Sequence, residues 1–309
     1  LEYGDNALFR HTEHLMTERP AAASLPSTLR ADPRVQRLVE SPSYQQADED
    51  LAFLQRPEMC GVRLQLDYWK AEELLQRHQI DHTVVVYGST RLVEPGVAQQ
   101  RLEAAQRALD AAAGDPVCRR EVALAQRLLE KSTYNTVACE LGRLIGSAEA
   151  TSTLPKLTVV TGGGPGIMEA ANRGASEAGG ASVGFNISLP HEQLPNPYLS
   201  PDLCFRFHYF AIRKLHLLER AKAAVFFPGG YGTCDELFEV LTLLQTGKIK
   251  PLPVLLVGER FWRQAFDVQF LIDEGMIAAS DADLFCVAET ASKIWQIIEH
   301  WYERGSFQE

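Results

Sequence analysis

From about residue 82 onward, short unbroken apolar runs alternate with longer stretches whose apolar residues recur every three or four positions. The runs His82-Thr83-Val84-Val85-Val86-Tyr87, Leu157-Thr158-Val159-Val160-Thr161, 181–187, Ala223-Ala224-Val225-Phe226-Phe227 and 252–257 have the continuous hydrophobicity of strands covered on both faces. Two shorter runs, 203–207 and 284–287, read as further strands. Helical periodicity fills the intervals at 103–113, 117–145, 168–178, 209–222, 237–244 and 261–274, and closes the chain at 291–302. Strand and helix in alternation predict an α/β fold, a doubly wound and mostly parallel sheet of Rossmann-like form. In the 209–222 helix the expected packing stripe is Ala211, Leu215, Leu218 and Ala221. Arg213 lies about 200° round from Ala211 and so faces away from that stripe.

The first 81 residues are patterned differently. Prolines at 20, 26, 33, 42 and 57 punctuate short segments, and the 68–77 stretch has helical periodicity with Leu74 and Leu75 on its apolar side. The expected organisation is an N-terminal helical extension over 1–81 and a nucleotide-binding catalytic domain over 82–309. His11-Thr12-Glu13-His14 lacks the H-E-x-x-H spacing of a zinc site and reads as surface. The 103–113 and 117–145 helices are split by Gly114-Asp115-Pro116.

Charge narrows the partners. A formal net charge of −10 over 309 residues disfavours a nucleic-acid polymer, which requires a basic face, yet leaves room for a small nucleotide in a locally positive pocket. Cys60, Cys118, Cys139, Cys204, Cys234 and Cys286 are scattered, with neither C-x-x-C nor zinc spacing. Such thiols suit a reducing cytoplasm, the expected location. Neither a signal-peptide pattern nor an apolar run of about eighteen residues is present. No ligand cluster implies a metal or an organic cofactor.

The chemistry gathers where strands meet glycine-rich turns. Phe227-Pro228-Gly229-Gly230-Tyr231-Gly232-Thr233-Cys234-Asp235-Glu236 follows a strand and leads into a helix. Its glycines let bare N–H groups approach a ligand, and the helix start adds unpaired donors, which together suit a phosphate. No Lys-Ser or Lys-Thr follows, so the Walker arrangement is not met. Thr233-x-x-Glu236 also fits a capping box, in which the glutamate bonds back to its own helix end. Gly88-Ser89-Thr90-Arg91 and Gly162-Gly163-Gly164-Pro165-Gly166 form two further small-residue turns at strand ends. The second lacks the dinucleotide spacing, since Ile167 stands where the last glycine belongs. Gly88, Ser89, Gly163 and Gly164 are assigned to ribose and base, with a plain strand-end turn as the alternative for each. Glu169 is either a favourable first-turn charge or a ribose ligand. Cys234 sits near a helix N-terminus, where thiol pKa values tend to fall, but no histidine is adjacent in sequence to serve as its base. His208 and His216 read as packing or surface residues.

Pro228-Gly229-Gly230-x-Gly232-Thr233-x-x-Glu236, with the Arg213-Lys214 pair upstream, resembles the signature of the LOG-type phosphoribohydrolases, long labelled lysine decarboxylase-like. The likeness runs from about His82 to about Trp301. It implies cleavage of a nucleoside 5′-monophosphate, of the AMP or cytokinin riboside type, to free base and ribose 5-phosphate. It implies that Glu236 and Arg213 are catalytic partners, that Lys214 accompanies Arg213 at the nucleotide, and that Gly229, Gly230, Gly232 and Thr233 hold the phosphate. It also implies a homodimer or higher homo-oligomer. Short members place Met-His before the Arg-Lys pair, whereas Ala211-Ile212 stand here, which leaves the preferred base open. N-glycosidic cleavage passes through an oxocarbenium-like sugar that a nearby carboxylate stabilises. A second reading from the same residues is a non-catalytic nucleotide or cofactor carrier, which needs no carboxylate beside a phosphate. Pyridoxal-dependent decarboxylation is set aside, because no lysine stands in a Schiff-base setting.

Overall fold

The computed structural model describes residues 32–112, 114–189 and 194–305. The chain forms two compact units, Leu1–Arg63 and Leu64–Glu309. In the first, helices α1 (Pro33–Val39) and α2 (Leu51–Leu54) are capped by the carboxylates of Asp32 and Asp50. The Arg63 guanidinium donates to the carbonyls of Leu54 and Arg56 at 2.6 and 2.7 Å. The His11–His14 stretch lies outside the described residues.

A seven-stranded sheet organises the second unit: β1 (Thr83–Tyr87), β2 (Thr158–Thr161), β3 (Ser182–Ile187), β4 (Cys204–Phe207), β5 (Ala221–Phe226), β6 (Val254–Val257) and β7 (Cys286–Ala288), in the order β4-β3-β2-β1-β5-β6-β7. Every pairing is parallel. The chain builds outward from β1 through β4, then returns to lay β5 against the other side of β1. The loops after β1 and β5 therefore diverge, and the crevice of a doubly wound sheet opens between them.

Ten of the described helices complete the architecture: α3 (Cys60–Arg77), α4 (Pro95–Ala111), α5 (Pro116–Glu130), α6 (Thr133–Ser147), α7 (Ile167–Glu177), α8 (Phe210–Glu219), α9 (Tyr231–Gln245), α10 (Glu259–Ala265), α11 (Val268–Asp273) and α12 (Ala291–Glu303). Side chains alternate across the sheet and so divide the core in two. Val84, Val86, Ala223 and Val225 pack with α6, α7 and α12 on one face. Val85, Tyr87, Ala224 and Phe226 pack with α3, α8 and α9 on the other. Helices α4 and α5 bury little, Ala98 being their one fully buried residue among those described. No helix among the described residues is long and apolar enough to cross a membrane.

Several boundaries differ from the periodicity. The 117–145 stretch breaks at Lys131-Ser132, where the Ser132 N–H and hydroxyl both donate to the Leu129 carbonyl. The 261–274 stretch breaks at Phe266-Asp267 because Asp267 caps α11 through the Phe270 N–H. Helix α8 ends at Glu219, which puts Lys222 in β5 rather than in the helix. The expected stripe on α8 is also corrected. Leu215 is 48% exposed, whereas His216, Leu217 and Leu218 are buried, because this helix packs on α3 as well as on the sheet.

Candidate active site

Strand β1 ends at Tyr87 beside Phe226 of β5, and the turns that follow are tied together by main-chain bonds. The Ser89 N–H donates to the Pro228 carbonyl at 3.1 Å, and the Ile167 N–H donates to the Ser89 carbonyl at 3.2 Å. Ser89 thus anchors the β1 turn to the β5 and β2 turns, with its own backbone groups spent on that anchoring. Its hydroxyl accepts from the Arg91 N–H. Gly88 permits this approach, since a Cβ there would lie 2.6 Å from Cγ2 of Ile167. Where the turns meet, a cavity of about 640 Å³ opens, lined by Gly88 to Leu92, Gly162, Met168, Arg213, Pro228 to Thr233, Asp235 and Glu236 among others.

The cradle forms because α9 starts early. Its N-cap is Gly230 and no side chain caps it. The Cys234 N–H is the first to reach an intrahelical carbonyl, that of Gly230 at 3.0 Å. The N–H groups of Tyr231, Gly232 and Thr233 precede the first helical bond and point out of the helix end. Gly229 sits beneath the Thr233 hydroxyl, where a Cβ would lie 2.0 Å from Oγ1. The capping box that the spacing also fits is absent: Thr233 is inside the helix, whose N-cap is Gly230, and Glu236 is more than a turn in.

Position within α9 decides what Glu236 faces. Thr233, Glu236, Leu237 and Val240 form its buried side, so the carboxylate turns inward toward α8. There NH1 of Arg213 donates to Oε1 of Glu236 at 3.0 Å, and Nε donates to the Phe185 carbonyl at 2.7 Å. Gly162 makes room for the guanidinium, since a Cβ there would lie 2.6 Å from NH2. The two charged side chains are 14% and 7% exposed. The other carboxylate oxygen, Oε2, is enclosed without a hydrogen-bond partner. Burial raises the Glu236 pKa, and the neighbouring Arg213 and Lys214 only partly oppose it. The Tyr87 hydroxyl is likewise buried and unpartnered. Burial, with the Glu236 charge second, holds that phenol protonated far above its ordinary range.

Of the residues expected at the site, Gly88, Ser89, Arg213, Gly229, Gly230, Gly232, Thr233 and Glu236 come together around the cavity. Lys214, Gly163, Gly164 and Glu169 are not among its lining. Lys214 is held 3.0 Å from both Asp235 and Glu239. Gly163 and Gly164 use their carbonyls to accept from the main chain and side chain of Asn196. Cys234 departs from expectation, because burial raises its thiol pKa rather than the helix end lowering it. His216 is buried and stacks on Tyr68 with ring centres 4.9 Å apart, in agreement with a packing role.

Periodicity alone misses the clamp that positions Arg213. Oδ2 of Asp67, on α3, accepts from the N–H groups of His208 and Tyr209 at 2.7 and 3.0 Å and so holds the start of α8. At the far end Glu72 pairs with Arg220 at 2.7 Å. Glu72, His216 and Glu219 bring donor atoms within 4.8 Å of one another, but the cation already seated on Glu72 is the Arg220 guanidinium.

The family model described as possible lysine decarboxylase matches residues 168–298. A cytokinin riboside 5′-monophosphate phosphoribohydrolase of Arabidopsis thaliana is 26% identical over 176 residues, 56% of this chain and 77% of that one. A second enzyme of that description, from Oryza sativa subsp. japonica, is 28% identical over 182 residues, 57% of this chain and 71% of the other. Among solved structures, the molybdenum cofactor binding protein of Rippkaea orientalis aligns over 71% of this chain and 94% of its own, at 17% identity and a TM-score of 0.38, too low to bear on function.

Proposed function

We propose, from its likeness to the LOG-type phosphoribohydrolases, that the chain hydrolyses the N-glycosidic bond of nucleoside 5′-monophosphates to free base and ribose 5-phosphate. The observation that carries this reading is the Arg213–Glu236 pair at 3.0 Å, set in the wall of the cavity whose rim is the α9 N-terminus. In this reading the unpaired N–H groups of Tyr231, Gly232 and Thr233 receive the phosphate. Glu236 stabilises positive charge growing on the sugar and takes a proton from the attacking water. Water adds at the anomeric carbon as the bond to the base nitrogen breaks, and the base leaves with that pair of electrons and a proton. Arg213 fixes the carboxylate's direction. A homodimer or higher oligomer working in the cytoplasm belongs to the same reading, and light scattering on the purified chain reads the oligomeric part.

The test is chromatography for free base after incubation with a panel of purine and pyrimidine nucleoside 5′-monophosphates. Wild type should release base from at least one. Glu236→Gln should lower kcat by about a hundredfold or more, the scale set by loss of an electrostatic or proton-transfer group. Tight binding of a monophosphate with no base released by wild type would make a carrier the better description.

A further inference from the structure

A phosphate monoester brings close to two negative charges into this cavity at neutral pH, and backbone N–H groups supply only partial positive charge in return. Arg213 is committed elsewhere, with Nε on the Phe185 carbonyl and NH1 on Glu236. Lys214 is absorbed by Asp235 and Glu239. Two lining cations remain with no ion pair among the described residues, Arg91 in the β1 turn and Lys131 at the C-terminal end of α5. The Lys131 ammonium has one weak contact, to the Arg127 carbonyl at 3.4 Å, and Arg91 contributes only its main-chain N–H to the turn.

Each residue taken singly has an ordinary explanation. Lysine suits a helix C-terminus, and an exposed arginine is common. The ordinary explanation does not account for both facing the same cavity from different elements, beside an uncapped helix N-terminus. Nor does it explain why a cavity already holding Glu236 and Asp235 should carry cations that these acids do not neutralise.

We propose that Arg91 and Lys131 supply the positive charge that selects the substrate's phosphate, while Arg213 serves the carboxylate alone. This rests on the reading of the cavity as a nucleoside monophosphate site. It makes the phosphorylated sugar, rather than the base, the part of the substrate bound most selectively. It also gives the α4–α5 pair a function, since α5 carries Lys131 to the cavity while burying almost nothing itself.

The experiment is calorimetric titration of the full chain with ribose 5-phosphate and, separately, with ribose, for wild type, Arg91→Gln, Lys131→Gln and the double variant. Arg91→Lys and Lys131→Arg serve as conservative controls, and a thermal melt of each variant verifies folding. Wild type should prefer ribose 5-phosphate, increasingly so at low salt. Each glutamine variant should weaken that binding about tenfold or more, the scale of one charge-assisted hydrogen bond, with the controls retaining most of it. Equal binding by wild type and the double variant overturns the proposal, as does a wild type that does not distinguish the phosphorylated sugar. No base release enters the measurement. Failure of the hydrolase reading therefore appears as selective binding without turnover, and failure of this proposal as turnover with an unchanged KM in the double variant.

Discussion

Glu236 has two carboxylate oxygens in unlike surroundings, and the difference sets a pH dependence. Oε1 is held by Arg213, while Oε2 is enclosed without a partner, so burial outweighs the guanidinium and the pKa rises. A bound phosphate adds negative charge nearby and pushes it further in the same direction. The proposed reaction needs the ionised form, so activity is present above the raised pKa and lost as pH falls through it. The acid limb of the kcat profile, which reports the enzyme–substrate complex, should therefore lie above the ordinary range of a glutamate. Profiles of kcat rather than kcat/KM are the ones to measure, because the substrate's own phosphate titrates near pH 6. A limb at or below the ordinary carboxylate value would mean that Glu236 is not the group titrating. For stability the sign is opposite. A folded carboxylate pKa above the unfolded one makes the fold lose stability as pH rises between the two.

The elements meet most closely where α6 crosses α7, and there glycine is required by contact rather than by conformation. A Cβ on Gly174 would lie 1.9 Å from the Cys139 carbonyl oxygen, and one on Gly142 would lie 2.1 Å from that of Ala171. In an exposed helix, glycine to alanine adds up to about 1 kcal/mol of stability, but here the two backbones would have to part. Gly174→Ala should destabilise by about 2 kcal/mol or more, seen as a lower urea midpoint, while Gly96→Ala, which faces open space at the start of α4, should be neutral or stabilising. That contact illustrates what the sequence makes legible and what it does not. Continuous apolar runs mark β1, β2, β5 and β6 because strands covered on both faces leave no polar positions to confuse them. The pairing of Arg213 with Glu236 is legible only through the family motif, since the stripe used to orient α8 is wrong and Arg213 is in fact fixed on the Phe185 carbonyl. The start of α9 is missed because Gly230 caps it without a side chain, leaving Thr233 as the more obvious signal. The α3 clamp is missed because Asp67 lies 141 residues from His208 and Glu72 148 residues from Arg220, and no local pattern encodes such separations.

At the scale of the whole molecule, the question is how much chain the site needs. The composition changes near Asp81, whereas the contacts divide after Arg63, and all but the first turn of α3 lies between these two points. Ala71 and Leu75 of α3 are each 1% exposed, Asp67 holds the first turn of α8, and Glu72 neutralises Arg220. Removing one partner of a buried ion pair costs about 3–5 kcal/mol, and uncovering a buried leucine about 1.5–3 kcal/mol more. Domains of this kind have roughly 5–15 kcal/mol in total, so loss of α3 removes a large share at once, and α8 with Arg213 loses both of its end anchors. A chain beginning at Cys60 gives up the Arg63 bonds to Leu54 and Arg56 but no residue that lines the cavity, so it should unfold cooperatively and bind ribose 5-phosphate within about twofold of the full chain, the spread of changes made away from a site. A chain beginning at His82 should show no cooperative melt or a sharply lowered one. If the His82 chain melts and binds as the Cys60 chain does, α3 is an appendage, and the geometry of Arg213 must be held by the Phe185 carbonyl and Glu236 unaided.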